Sequence, residues 1–377
     1  MKVLVARELG PYERRVAIVP ELVGRLTAAG LDVLVETGAG DGAWHPDATY
    51  EAVGATVVGD GDGPLSSADV VVSVQPLPVG RVRRLRRGAI TISFLPTSQE
   101  LALVRTHRDV RTTAFSMEYI PRISRAQAMD ALSSQALVAG YRAALVAAER
   151  LPRFFPMFMT AAGTVPPARV LVLGAGVAGL QAIATARRLG ARVEAYDVRA
   201  AAAEEVRSLG ARFVELDLPS LEGTGGYARE MTEEHARRQR ELLAPHVAAA
   251  DALITTAAVP GRHAPLLAER SAVEAMTPGS VVVDLAAESG GNVDGSRPGE
   301  EIMIGGTLVW GARNVPSQMP VHASRLYSAN VVELLLLMTT DGRVEPDFSD
   351  EIVDSACVTH DGVVRHAYTR DLLGEVG

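Results

Sequence analysis

Short runs of apolar and β-branched residues alternate with helix-like spacing along the first third of the chain. The segment 20–29 has apolar residues at helical spacing and ends at Gly30, a residue type that commonly stops a helix. Strands that alternate with helices are typical of a parallel sheet covered by helices. The runs that predict strands are 2–6, 32–36, 70–74, 90–94 and 112–115.

The middle of the chain repeats this alternation after one long helix. The alanine-rich stretch 124–150 predicts that helix, and Pro152 and Pro156 close it. The near-identical segments 189–194 and 209–214 mark successive turns from a helix to a strand. The predicted elements are strands at 169–173, 192–196, 212–216, 252–255 and 280–285, with helices at 179–189 and 200–209.

The same alternation sets the expected domain organisation. A last apolar helix, predicted at 324–338, would return the chain to its first domain. We expect an α/β protein with two Rossmann-like, doubly wound parallel-sheet domains, joined by two long helices with a cleft between them. The first domain would contain residues 1–125 and 310–377, and the second residues 126–309. Clefts of this kind are where ligands usually bind.

Composition and charge exclude several classes of function. The net charge of −8 predicts no nucleic-acid partner, because phosphate backbones repel an acidic protein. Cys357 is the only cysteine and the 8 histidines are scattered, so no metal site is predicted. Lys2 is the only lysine, which excludes a Walker-type ATP loop. The late apolar run 331–338 is too short for a membrane span, which needs about 20 apolar residues.

The glycine-rich segment 174–179 has the spacing of a dinucleotide-binding loop. An apolar strand precedes it, a helix follows it, and Asp197 ends the next strand, 23 positions after Gly174. Gly174 would allow the tight turn, Gly176 the approach of the backbone to a pyrophosphate, and Gly179 close packing of helix on strand. A purely structural turn is the alternative, and the acid in register favours the dinucleotide.

Asp197 and its neighbour Arg199 bear on which dinucleotide is bound. Asp197 would accept hydrogen bonds from the adenosine ribose and repel a 2′-phosphate, which predicts NAD(H) in preference to NADP(H). An arginine nearby can hold that phosphate, so Arg199 either opposes this preference or is a surface residue near the adenine.

The segment 121–134, which reads PRISRAQAMDALSS, is very specific. It resembles the NAD(H)-binding soluble component, on the alpha subunit, of proton-translocating nicotinamide nucleotide transhydrogenase. The resemblance covers essentially the whole chain. It continues through 139–143, 159–168, 174–179, 197–199, 255–257 and 284–286.

The resemblance implies the residues that contact the cofactor. Polar contacts to the nicotinamide end would come from Arg122, Gln127, Asp130 and Ser133. The residue types alone indicate that these residues form a capped helix start with a surface ion pair. The resemblance favours instead their contact with the nicotinamide. The rest of the implied NAD(H) site is Gly174, Gly176, Val177, Ala178, Gly179, Asp197, Val198, Arg199, Gly226, Tyr227, Gln239, Ala257 and Ala258.

The segment 218–226 is rich in glycine and short polar residues, and Tyr227 follows it. Most such segments are ordinary exposed loops. The resemblance implies instead a mobile lid that closes over NAD(H), with Tyr227 packing toward the cofactor.

The activity implied by the resemblance is the Re/Si-specific, proton-translocating transhydrogenation of NAD(H) and NADP(H). The chain carries no second dinucleotide fingerprint of this quality and no predicted membrane helix. NADP(H) would therefore be held by a partner subunit, and a membrane-spanning component would supply the proton path. The chain would be a homodimer and would lie in the cytoplasm, at the inner face of the membrane, through these partners.

Alanine dehydrogenase is the related alternative, with an NAD(H) sensor as a non-enzymatic one. Reductive amination needs a cation for the substrate carboxylate and an acid or base for the carbonyl. Arg15 is present, but Ser73 stands where alanine dehydrogenases are expected to have a lysine, and the segment 93–97 has no histidine. Direct hydride transfer between two nicotinamides needs no such groups, which favours transhydrogenation.

Overall fold

The computed structural model describes residues 1–59, 61–218, 232–258 and 263–374. The chain forms two compact units. The first unit consists of Met1–Gln135 with Ser317–Gly377, and the second of Ala136–Pro316. Each unit contains a large, mainly parallel sheet.

In the first unit, short strands alternate with helices, as the hydrophobic pattern predicts. The five predicted strands are confirmed, and the short strand at Thr56–Val58, of which only Thr56 is fully exposed, is an addition that the pattern does not indicate. The elements are β1 (Lys2–Val5), α1 (Pro20–Ala28), β2 (Asp32–Glu36), α2 (Asp47–Glu51), β3 (Thr56–Val58), α3 (Asp62–Ser67), β4 (Val70–Val72), α4 (Val79–Val82), β5 (Ile90–Ser93), α5 (Leu101–Val110) and β6 (Thr113–Ser116).

These six strands run parallel in the order β3-β2-β1-β4-β5-β6. From β1, successive strands are added on one side as β2 and β3 and on the other side as β4, β5 and β6. In doubly wound sheets, ligands usually bind in the crevice at this reversal, outside the carboxyl ends of the strands. The strands β4 and β5 are buried along their whole length, because helices cover both faces of the sheet.

The long helical stretch predicted at 124–150 is interrupted. A 3-10 turn occupies Ser124–Met129, and α6 then runs from Ala131 to Arg150, from the first unit into the second. The break falls at Asp130, whose ψ of 86° is far from helical. The carboxylate of Asp130 accepts the backbone N–H of Ser133 at 2.8 Å, so it begins α6 as an N-cap does.

The second unit repeats the doubly wound arrangement. Its parallel strands lie in the order β11-β10-β9-β12-β13-β15, and β14 joins the edge antiparallel to β15. The strand predicted at 212–216 is shorter than expected and pairs only at Arg212–Phe213. The elements are β7 (Phe158–Thr160), β8 (Gly163–Val165), β9 (Arg169–Leu173), α7 (Val177–Arg188), β10 (Arg192–Tyr196), α8 (Ala202–Ser208), β11 (Arg212–Phe213), α9 (Glu233–Ala249), β12 (Ala252–Thr255), α10 (Arg270–Glu274), β13 (Val281–Asp284), β14 (Glu301–Ile304) and β15 (Thr307–Gly311).

The chain returns to the first unit at the 3-10 turn Val315–Gln318 and completes its sheet. The strand β18 (Cys357–His360) pairs antiparallel with β6, and β19 (Val363–Val364) extends the edge. The last elements are α11 (Pro320–Leu337), β16 (Thr339–Thr340), β17 (Arg343–Val344), α12 (Glu351–Ala356), β18 (Cys357–His360), β19 (Val363–Val364) and α13 (Ala367–Leu373). Across the described ranges, no helix combines the length and the apolar character that a membrane span requires.

Candidate functional site

The glycine-rich loop of the second unit lies between β9 and α7, at the point where the strand order reverses. Gly174 has a φ of +97°, a left-handed conformation that glycine adopts without strain. A Cβ on Gly179 would overlap the carbonyl oxygen of Gly174, so this glycine allows α7 to pack directly on the end of β9. The structural roles expected of these two glycines therefore match the backbone that is present.

Gly176 differs from the other two glycines, because a Cβ there would meet no atom within 4 Å. Gly176 is exposed and is the N-cap of α7, while Val177 after it is also exposed and Ala178 is half-buried. The first N–H groups of a helix have no partner within the helix, and they attract anions together with the helix dipole. The face at Gly176 is thus open and lies beside helix N–H groups that attract anions.

Helix α6 passes close to this loop inside the second unit. A Cβ on Gly140 would overlap the carbonyl oxygen of Ala178, so only glycine allows the backbone of α6 to approach the first turn of α7. The hydrophobic pattern assigns no structural role to Gly140, because its partner lies 38 positions further along the chain.

Asp197 follows β10 and points back to the loop. Its Oδ2 accepts the N–H of Ala175 at 2.7 Å, and its Oδ1 accepts the N–H of Arg199 at 2.9 Å. The guanidinium of Arg199 then forms a two-pronged pair with the same carboxylate, Nε to Oδ1 at 2.9 Å and Nη2 to Oδ2 at 3.0 Å. Arg199 is therefore not merely a surface arginine near the loop but an ion-pair partner of Asp197.

A network of buried polar groups holds the segment after β12 against the loop. The hydroxyl of Thr256 donates to the carbonyl oxygen of Gly174 at 3.0 Å. The side chain of Asn292 accepts the N–H of Ala257 at 3.0 Å and donates to its carbonyl oxygen at 2.8 Å. The fully buried carboxylate of Asp284 accepts the N–H of Asn292 and thereby orients it. Asn292 has no local signal in the sequence, since its partners come from distant segments.

The remaining residues of the predicted NAD(H) site differ in their surroundings. Val198 is half-buried against the core and Ala258 is exposed. Gln239 is only 2% exposed, and its amide donates to the hydroxyl of Tyr196 at 3.0 Å, so it supports the end of β10. Gly226 and Tyr227, with most of the predicted lid, lie outside the described residues.

The four residues expected at the nicotinamide lie in the first unit, in and around the 3-10 turn Ser124–Met129. The hydroxyl of Ser133 donates to Oδ2 of Asp130 at 2.6 Å, in addition to the bond from its backbone. Arg122 and Gln127 are both exposed. The structure therefore brings Asp130 and Ser133 together directly and places Gln127 on the turn that precedes them.

The turn itself is held firmly. Ala126 and Met129 are buried beneath it, and the side chain of Asn330 on α11 donates to the carbonyl oxygen of Ala128 at 2.7 Å. Asn330 also accepts the hydroxyl of Ser134 at 2.7 Å. The backbone of the turn is thus fixed by these contacts.

A second polar cluster surrounds Arg15, also in the first unit. Glu13 binds the guanidinium with both oxygens, at 2.8 Å and 2.7 Å, and Gln135 accepts its Nη1 at 2.8 Å. Gln75 donates to Glu13 at 2.8 Å. Gln75, which follows β4, therefore contacts this cluster with its side chain. The hydroxyl of Ser73 instead donates a hydrogen bond to the carbonyl oxygen of Gln75.

Two carboxyl groups of this cluster, Glu8 and Glu13, have opposite pKa shifts. Burial raises the pKa of Glu8 to about 8, against the lowering effect of the hydrogen bond from the Val74 backbone. Burial also acts to raise the pKa of Glu13, but hydrogen bonds and the charge of Arg15 outweigh it and lower the pKa to about 2. A cavity of about 330 Å³ adjoins these residues, and Gly38 and Gly42 line its other side.

The described residues contain no cluster of three or more histidine, cysteine, aspartate or glutamate side chains arranged to hold a metal ion. The glycine loop offers backbone N–H groups, which bind anions, and one carboxylate, which accepts hydrogen bonds from hydroxyl groups.

The chain is similar over its whole length to proteins of known activity. Family profiles of the alanine dehydrogenase/PNT N-terminal and C-terminal domains match residues 4–139 and 143–367. An NAD(P) transhydrogenase alpha-subunit chain of Rhodospirillum rubrum is 45% identical, over 97% of this chain and 98% of the relative. Alanine dehydrogenase of Mycobacterium tuberculosis is 31% identical, over 97% of this chain and 94% of the relative.

A solved structure shows the same fold. The crystal structure of transhydrogenase from Sinorhizobium meliloti superposes with a TM-score of 0.86 at 42% identity, covering 98% of this chain and all of that one. Identity is higher with the transhydrogenase subunits than with alanine dehydrogenase. The chain belongs to the alanine dehydrogenase/PNT family, with its stronger similarity to the alpha subunits of NAD(P) transhydrogenase.

Proposed function

We propose that this chain is the NAD(H)-binding subunit of a proton-translocating transhydrogenase, which passes hydride between NAD(H) and NADP(H) held on a partner subunit. The observation that carries the proposal is the loop between β9 and α7. It combines an open, exposed face at Gly176, free helix N–H groups and the carboxylate of Asp197 on one edge of a sheet.

The residues present fit a dinucleotide. The N–H groups at the start of α7 would bind the pyrophosphate, since no side chain at Gly176 prevents its approach. Asp197 would accept hydrogen bonds from the adenosine ribose, and Val198, Ala257 and Ala258 would contact the nucleotide. Gln239 would support this edge through Tyr196. These roles predict that NAD(H) binds more tightly than NADP(H).

Arg122, Gln127, Asp130 and Ser133 would position the nicotinamide. The bound cofactor supplies or accepts the hydride, so these side chains need only orient the ring and exclude water. Asp130 and Ser133 suit this task because each is fixed by the other. Gln127 offers both a donor and an acceptor to a carboxamide or a ribose.

The partners follow from the same proposal. A membrane component and an NADP(H)-binding component would complete the enzyme, and this subunit would lie against the inner face of the membrane through them. We propose a homodimer as well, because strand β7 and the segment just before it expose several large apolar residues. These residues, Phe154, Met157, Phe158 and Met159, are between 43% and 78% exposed, which is typical of an interaction surface.

The proposal is tested by reconstitution with the purified NADP(H)-binding component of a transhydrogenase. NADH and an NADP⁺ analogue are added, and reduction of the analogue is followed by absorbance. We expect reduction only when both proteins are present. Tight NADH binding without reduction would refute the transhydrogenase proposal while leaving the NAD(H) site intact.

A stand-alone amino-acid dehydrogenase is the second candidate. It is favoured by the cavity beside Arg15 and Glu8, since an arginine binds carboxylates and burial raises the pKa of Glu8 to about 8, which suits a general acid. Against it, Glu13 and Gln135 already engage the guanidinium of Arg15. Turnover of pyruvate with ammonia and NADH by this protein alone would establish the second candidate.

A further inference from the structure

The carboxylate of Asp197 is a crowded acceptor. Each carboxylate oxygen accepts about two hydrogen bonds in good geometry. Backbone N–H groups take one position on each oxygen, from Ala175 on Oδ2 and from Arg199 on Oδ1. These two bonds orient the carboxylate and come from the main chain, so they remain in place whatever the side chains around them do.

The guanidinium of Arg199 takes the other position on each oxygen, Nε on Oδ1 at 2.9 Å and Nη2 on Oδ2 at 3.0 Å. The side chain of Asp197 is then only 8% exposed, while that of Arg199 is 22% exposed. The side chain of Arg199 therefore lies nearer to solvent than the carboxylate that it binds.

A ribose diol requires the same two positions. Its 2′- and 3′-hydroxyls are neighbouring donors, and a carboxylate binds them as it binds the fork of an arginine, with one oxygen for each donor. Both sets of donors cannot occupy Asp197 at once, because the backbone bonds already use the remaining acceptor positions.

We propose that Arg199 is an internal competitor that occupies the ribose position of Asp197 in the free protein and leaves it when a nucleotide with a free diol binds. This inference rests on the proposed NAD(H) site. Arg199 thereby acts as a specificity residue, since a nucleotide must supply two ribose donors to replace the two guanidinium donors. A ligand that lacks the diol leaves the ion pair intact.

Isothermal titration of two nucleotides into the full chain tests the inference. ADP has the diol and 2′,3′-dideoxy-ADP lacks it, while the adenine and the diphosphate are the same. A partly exposed ion pair is worth little, so its removal in Arg199→Ala should strengthen ADP binding only about fivefold. The affinity for the dideoxy nucleotide should stay unchanged.

Arg188→Ala is the matched control for charge. Arg188 is exposed at the end of α7, so its removal alters the net charge by the same amount without affecting Asp197. We expect no gain in ADP affinity from this variant. In an Asp197→Asn background, Arg199→Ala should give no gain either, because the ion pair is already lost.

Weaker ADP binding by Arg199→Ala would overturn the inference, since the arginine would then support the ligand. An equal gain for both nucleotides would overturn it too, because the effect would not depend on the diol. Failure of the unaltered protein to bind NADH or ADP would contradict the proposed function itself, and that result is distinct from both of the others.

Discussion

Gly176→Ala separates binding from folding at the glycine loop. The residue has φ −76° and ψ −168°, an extended conformation that alanine adopts without strain, and its Cβ would meet no atom of the protein. Alanine is a poorer N-cap than glycine, but it loses less conformational freedom on folding, so the free energy of unfolding should change by less than about 1 kcal/mol. The added methyl group would instead occupy the face on which the proposed pyrophosphate lies.

The expected loss of affinity follows from the hydrogen bonds that this face offers. Displacing the pyrophosphate by the width of a methyl group would break one or two charge-assisted bonds, each worth about 1.5–3 kcal/mol. Since about 1.4 kcal/mol is a factor of ten, loss of one bond should weaken NADH binding about 10- to 100-fold, and loss of two bonds up to about 10,000-fold.

Titration of NADH fluorescence measures this affinity, and urea denaturation of the same samples measures stability. Gly24→Ala is the control, because Gly24 lies in helix α1 of the first unit and a Cβ there also meets nothing. The control should bind NADH normally. Unchanged NADH affinity in Gly176→Ala would refute the assignment of the pyrophosphate to this face.

The remaining predictions concern contacts that the structure adds. Gly140→Ala should destabilise the second unit by about 1–3 kcal/mol through overlap with Ala178, as measured by urea denaturation; unchanged stability would contradict the close approach. Asn292→Ala leaves the N–H and carbonyl of Ala257 without their partner, which should cost about 1–3 kcal/mol and weaken NADH binding in titration. The pKa of Glu8 is about 8 when folded and 4.5 ordinarily, so its stabilising effect is complete below pH 4.5 and is lost as pH rises towards 8. Between pH 5 and pH 8, the free energy of unfolding of Glu8→Gln should therefore fall less than that of the unaltered protein. Parallel curves of this free energy against pH would contradict the prediction.

The elements that the sequence predicts well are those that local pattern determines. The strands β1, β4, β9 and β12 are short apolar runs, and the glycine loop has its strand and helix directly beside it. A local pattern does not predict an element whose structure depends on contacts with distant parts of the chain. The strand β18 pairs with β6, which lies about 240 positions earlier, and this distant pairing brings it into the sheet.

The residues of the candidate site also divide into those that local pattern predicts and those that it does not. Asp197 can be found from spacing alone, whereas the pairing of its carboxylate with Arg199 depends on a side-chain conformation. Asn292 cannot be found in this way, because its partners are backbone groups of a segment 35 positions away. The residue types indicate a capped helix start, but the pattern places the start of the long helix at Ser124 and not after Asp130, because the alanine-rich stretch has high helix propensity throughout.

Transfer of an isotopic label tests the central claim most directly. NADH carrying deuterium at the transferable position of C4 is mixed with this protein, the NADP(H)-binding component of a transhydrogenase and NADP⁺ in ordinary water, and the NADPH formed is analysed by mass spectrometry. If one nicotinamide passes hydride directly to another, every NADPH formed carries deuterium, and Gly176→Ala slows its formation at limiting NADH. NADPH without the label, or labelled lactate or alanine formed from pyruvate by this protein alone, would contradict the account.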